Sequence, residues 1–133
     1  MKIPGLLFAS LLFSNGCAGP SEPIVVPLGL AFELAPGQEA LVDGLSVGFQ
    51  RVEQDSRCPI DAVCVWEGDA AVALLLRAGS DGPVPRELHT SGSLGRETSF
   101  AGYKVRLESL LPAARSSQPI RPYDYRATLV VEH

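Results

Sequence analysis

From Leu28 onward, apolar and polar positions alternate with a period of two in short runs, the spacing of strands with one buried face. Leu30, Phe32 and Leu34 alternate with Ala31 and Glu33. Pro36-Gly37 breaks the run, and Gln38 to Val42 resumes it. Asp43-Gly44 is a two-residue hairpin signal, followed by Leu45, Val47 and Phe49 on one face. After Gln50 the apolar phase slips by one to Val52, as the extra residue of a bulge would cause. Ala70 to Leu76 is almost continuously apolar, the pattern of a central strand covered on both faces. Gly79 to Pro85 reads as a loop, and Arg86 to Thr90 as a short strand. Tyr103, Val105 and Leu107 then alternate with Lys104, Arg106 and Glu108. A proline-rich polar loop from Leu111 to Pro122 follows, with room for a helical turn over 109–115. Tyr123, Tyr125, Ala127, Leu129 and Val131 form the last alternating set.

No window sustains a helical period. The chain is therefore expected to be all-β: an antiparallel β-sandwich, immunoglobulin-like or related, or a partly open barrel of about seven strands. Its 133 residues suffice for one domain with a true core.

The N-terminus departs from this pattern. Lys2 supplies a positive charge, Leu6 to Phe13 an apolar core interrupted only by Ser10, and Ser14, Asn15 and Gly16 a small or polar cleavage region. This is the layout of an export signal over residues 1–16, too short to span a bilayer as a mature helix. Cys17 comes next, and residues 18–27 hold three prolines, as an extended tether would, while Ile24, Val25 and Val26 within it also read as a first edge strand, which proline tolerates at its ends. The expected organisation is a signal peptide at 1–16, Cys17 with a tether at 17–28, and a β-domain at 29–133. Removing the leader leaves ten basic against fifteen acidic side chains, with the arginines scattered. That balance excludes nucleic acid as a partner class, which demands a basic face.

Leu11-Leu12-Phe13-Ser14-Asn15-Gly16-Cys17 resembles the lipobox of bacterial lipoproteins. The resemblance implies cleavage before Cys17, acylation of that residue, and a membrane as partner through the lipid. Ala18 after the cysteine implies outer-membrane sorting by the same likeness. Cysteine parity agrees: an exported chain with three cysteines leaves one odd thiol, which lipidation removes.

The other two cysteines lie in Arg57-Cys58-Pro59-Ile60-Asp61-Ala62-Val63-Cys64-Val65-Trp66-Glu67-Gly68. In an exported protein the default for Cys58 and Cys64 is a disulfide. Trp66, the only tryptophan, is expected to pack on the sulfurs or cap the core edge. Gly68 is expected to supply a positive backbone angle where the chain enters the next strand. The run from Asp55 to Gly68 resembles a loop in small exported bacterial proteins, many of them lipoproteins, flanked by similar strands. That likeness implies address and fold and carries no activity.

The loop is the candidate binding surface, with Asp55, Arg57, Asp61, Trp66, Glu67 and Gly68 as its residues; Arg57, Asp61 and Glu67 are the expected contacts. Its partner would be an envelope protein, a glycan or a small molecule. Three chemistries compete. Thiol redox catalysis favours Cys-x-x-Cys at a helix start, unlike the five-residue spacing here. Asp55, Asp61, Glu67 and Asp69 are clustered carboxylates, but match no calcium-loop spacing. His89 near Ser91 and Ser93 offers a minimal hydrolase constellation without a Gly-x-Ser-x-Gly elbow. No catalytic residue, metal or cofactor is assigned on these grounds.

Overall fold

The computed structural model describes Gly5 and residues 22–133. The signal peptide expected at 1–16, Gly5 apart, and the lipidation expected at Cys17 lie outside the described residues. Nine strands form two sheets: β1 (Ile24–Val26), β2 (Phe32–Leu34), β3 (Glu39–Val42), β4 (Leu45–Asp55), β5 (Ala70–Ala78), β6 (Asp81–His89), β7 (Glu97–Phe100), β8 (Tyr103–Leu111) and β9 (Arg126–Glu132). One sheet has the order β1-β3-β4-β5-β6, the other β2-β9-β8-β7. They face each other as a β-sandwich, without barrel closure. No helix among the described residues is long and apolar enough to cross a membrane.

Alternation places the core. Val42, Leu45, Val47, Phe49, Val72, Leu74, Leu76 and Leu88 point inward from the first sheet. Leu34, Val105, Leu107, Ala127, Leu129 and Val131 meet them from the second. At ~1.5–3 kcal/mol for each large apolar side chain, this shared layer dominates the favourable side of folding. β4 keeps its inward face across the phase slip because the register with β5 shifts between Phe49 and Arg51, and again between Val52 and Gln54. The bulge expected at Val52 is thus present.

Three expectations change. The segment 79–85 is mostly strand, because β6 lies at a sheet edge, where Pro83 and Pro85 leave no ladder partner unsatisfied. No helical turn forms over 109–115; β8 runs on to Leu111, and the one 3-10 turn is Pro122–Asp124. Tyr123 is exposed, so the last alternating set starts at Tyr125. Ile24–Val26 forms the edge strand weighed for the end of the tether, pairing in parallel with β3 and opening the ordered sheet.

The sandwich has two unlike poles. At one, three tight turns join β3 to β4, β5 to β6 and β7 to β8. At the other lie the connections 56–69, 90–96 and 112–125. The first is here the turn pole, the second the loop pole.

Candidate functional site

The loop pole gathers every candidate side chain of the described residues. Its base continues the β4–β5 ladder beyond the strand ends. The Ser56 N–H donates to the Asp69 carbonyl at 2.6 Å, and the Cys58 N–H to the Glu67 carbonyl at 2.8 Å. Gly68 sits between these pairs with φ of 71°. A Cβ there would overlap the Ser56 carbonyl, so both space and backbone angle demand glycine, as expected. Cys58 and Cys64 form the disulfide, with Cα atoms 5.9 Å apart.

Arg57 and Asp55 turn inward, contrary to the expectation that Arg57 offers itself for contact. Arg57 donates to both Asp55 oxygens, Nε–Oδ1 at 2.8 Å and Nη2–Oδ2 at 2.7 Å. It also donates to the carbonyls of Leu110 at 2.8 Å and Pro112 at 3.0 Å. Tyr125 Oη donates to Asp55 Oδ2 at 2.9 Å. The group thus clamps the end of β4 in one sheet to the end of β8 and the start of β9 in the other. Both Arg57 and Asp55 side chains are only 14% exposed. Burial pushes the Asp55 carboxyl up, but the hydrogen bonds from Arg57 and Tyr125 and the guanidinium charge outweigh it and hold it below 3.8. Burial, then the Asp55 carboxylate, push the Tyr125 hydroxyl up to about 12.

Asp61 and Glu67 are likewise engaged within the fold. Asp61 accepts from the Ser116 N–H at 3.0 Å and from its hydroxyl at 3.2 Å. The backbone hydrogen bond chiefly lowers the Asp61 carboxyl. Glu67 accepts from Ser91 Oγ at 2.8 Å. Asp69, buried at the mouth of β5, accepts from the Ser91 N–H at 3.0 Å and pairs with His89 Nδ1 at 2.7 Å. Burial raises the Asp69 carboxyl, and these two hydrogen bonds more than reverse it. Asp55 and Asp61 therefore face separate partners, while Glu67 and Asp69 meet at Ser91. Among the described residues no group of three or more His, Cys, Asp or Glu side chains is arranged to hold a metal ion.

An aspartate–histidine pair beside two serines invites comparison with a nucleophile–base relay. The atoms are connected otherwise. His89 Nε2 lies 3.1 Å from Glu87 Oε1, so both ring nitrogens face carboxylates. Ser91 Oγ is bonded to Glu67 and to Ser93 Oγ at 2.9 Å. The hydroxyl and the imidazole belong to adjacent but separate chains of hydrogen bonds. A nucleophile needs its base within hydrogen-bond reach, and here that place is held by Glu67.

The outermost part of the loop is apolar. Trp66 is 80% exposed, Val65 96% and Val63 fully, so the tryptophan neither covers the disulfide nor caps the core. Ile60 and, on the neighbouring 90–96 connection, Leu94 are also exposed. Trp66 and Leu94 flank an open hollow of about 490 Å³, floored by Ser56, Gly68 and Asp69. A second hollow of about 520 Å³ lies on the outer face of the five-stranded sheet, where Gly48 carries no side chain between Arg51 and Arg77. Sequence reasoning missed Tyr125, the Asp69–His89 pair and the two valines. The valines carried a signal: branched apolar residues on both sides of Cys64, in a stretch where a solvated loop would be polar.

No protein-family model, curated protein or solved structure matches the chain.

Proposed function

We propose that this chain is a lipid-anchored, non-enzymatic module of the bacterial cell envelope, held to a membrane through Cys17 and acting by binding or as a structural component. The observation that carries the non-enzymatic part is the saturation of the loop pole's polar groups by one another. Asp55, Arg57, Asp61, Glu67, Asp69, His89 and Ser91 each have partners inside the fold. Beyond these groups the pole carries a stapled apolar tip, with Val63, Val65 and Trp66 exposed to solvent. Recognition needs a shaped, rigid surface, and a loop closed by a disulfide and pinned at its base supplies one.

The anchor rests on the residue run ending in Gly16-Cys17 and on cysteine parity. Of the three cysteines in the sequence, Cys58 and Cys64 are joined, and Cys17 is the one outside that bridge. Metabolic labelling with a palmitate analogue tests it. Label is expected on the wild type and absent from Cys17→Ala; equal labelling of both would refute the anchor. Incubating the exported protein at glutathione-like potentials tests the disulfide's role. A structural bridge stays oxidised; ready reduction would favour thiol exchange instead.

A further inference from the structure

We propose that the disulfide loop is a membrane-docking tip: Val63, Val65 and Trp66 insert into the interfacial region of the bilayer that holds the anchor. The proposal rests on lipid attachment at Cys17 and adds an orientation to it.

Strand direction carries the argument. β1 runs from the loop pole toward the turn pole, parallel to β3. The chain ahead of Ile24 therefore leads back toward the loop pole. Ile24 pairs with Ala40, Ala40 with Val47, and Val47 with Leu76. From Leu76 along β5 to Ala70, where the loop begins, is six residues, roughly 20 Å. Seven residue steps separate Cys17 from Ile24, a reach of at most about 25 Å. A tether of that length suffices for Cys17 to come level with the strand ends, beyond which the loop tip projects. A bilayer holding Cys17 meets this pole first.

The chemistry of the tip suits that neighbour. Trp66 has an apolar body and one N–H donor, the combination that settles at the boundary of hydrocarbon and headgroups. The two valines beside Cys64 add apolar surface at the same level. No Lys or Arg stands between Pro59 and Trp66, and the one carboxylate there, Asp61, is turned to Ser116. The tip therefore fits a neutral headgroup layer, and its docking is independent of anionic lipid. The bridge, the Cys58–Glu67 pair and the Ile60 N–H to Ala114 carbonyl bond at 2.9 Å fix the tip in advance, so little ordering accompanies insertion.

Trp66 reports on itself, being the only tryptophan. The full-length lipidated chain is reconstituted in phosphatidylcholine vesicles with plain or brominated acyl chains. Trp66 emission is expected to shift to the blue, to lose most of its intensity to bromine, and to resist acrylamide. These effects should persist at high salt and without anionic lipid. A second reporter, Ser80→Trp in a Trp66→Phe background, sits in the exposed β5–β6 turn at the opposite pole and should show none of them. Water-like, acrylamide-accessible Trp66 emission on the vesicles overturns the proposal. So does equal quenching at both positions, or shielding that develops only when envelope protein is added. Mass spectrometry of the same sample shows whether Cys17 is acylated. If it is not, its thiol is coupled to a maleimide lipid and the measurement repeated, so failure of the anchor and failure of docking give different results.

Discussion

The two poles of the sandwich solve the same problem, joining strands, by opposite means. At the turn pole each connection is two residues long and set by their backbone angles, with Tyr103 Oη donating across the sheets to Asp43 Oδ2 at 3.0 Å as the long-range tie. Asp43 takes φ of 58° beside Gly44, and Ala101 and Gly102 take 50° and 83°, the left-handed pair of a tight hairpin turn. At the loop pole the connections are held by residues far apart. Tyr125 reaches Asp55 across 70 positions, Arg57 reaches Leu110 across 53, and His89 reaches Asp69 across 20. Local turns need only the right residue types. The loop pole instead joins both sheets through charged, partly buried groups, and its apolar residues are left facing out.

The largest test of this contrast is Gly68→Ala. The new methyl meets the Ser56 backbone at a left-handed position, so a loss of at least about 3 kcal/mol is expected in urea unfolding. A loss below 1 kcal/mol would mean that the loop base yields. Next is Arg57→Leu, which leaves Asp55 and two carbonyls without their donor; about 2 kcal/mol should be lost, discounted from a fully buried pair because some solvent reaches the site. A neutral result would reduce the clamp to decoration.

Acid and base should then act on the loop pole. Asp55 and Asp69 are held below 3.8, so the unfolded chain binds more protons in acid. Their contribution is complete above about pH 4 and drains as pH falls through the folded values. Tyr125 is shifted the other way, from 10.0 to about 12. Its contribution is complete below pH 10 and disappears as pH rises through 12. Unfolding midpoints measured across pH should show both limbs, and Tyr125→Phe should flatten the alkaline one. The smallest effect is expected from Trp66→Ser. With 80% of the side chain in solvent, stability should change by less than about 0.5 kcal/mol. A large loss there would place Trp66 in the fold after all.

The same division governs how much could be read from the sequence. Asp43-Gly44, the slip at Val52, the cysteine pair and Gly68 were legible because each is decided within a few residues. The sandwich class was legible because alternation is local as well. Pro83 and Pro85 misled, since proline disfavours a central strand but suits an edge, and the edge is a property of the whole sheet. Of the candidate site, the loop itself was legible, and its inner contacts were not. Nothing in the surroundings of Tyr125 names Asp55, and nothing near Asp69 names His89. Trp66 misled because its type favours burial, whereas the bridge from Cys58 to Cys64 closes the loop without it.

The parallel pairing of β1 with β3 has a mechanical consequence. A pull on the chain ahead of Ile24, directed away from the turn pole, runs along the strand axis. It loads the β1–β3 hydrogen bonds together in shear, where an antiparallel hairpin pulled from its open end would release them one at a time. Force reaching the domain through its N-terminus is thereby shared across Ile24 to Val26 and passed through β3 into the central strands β4 and β5.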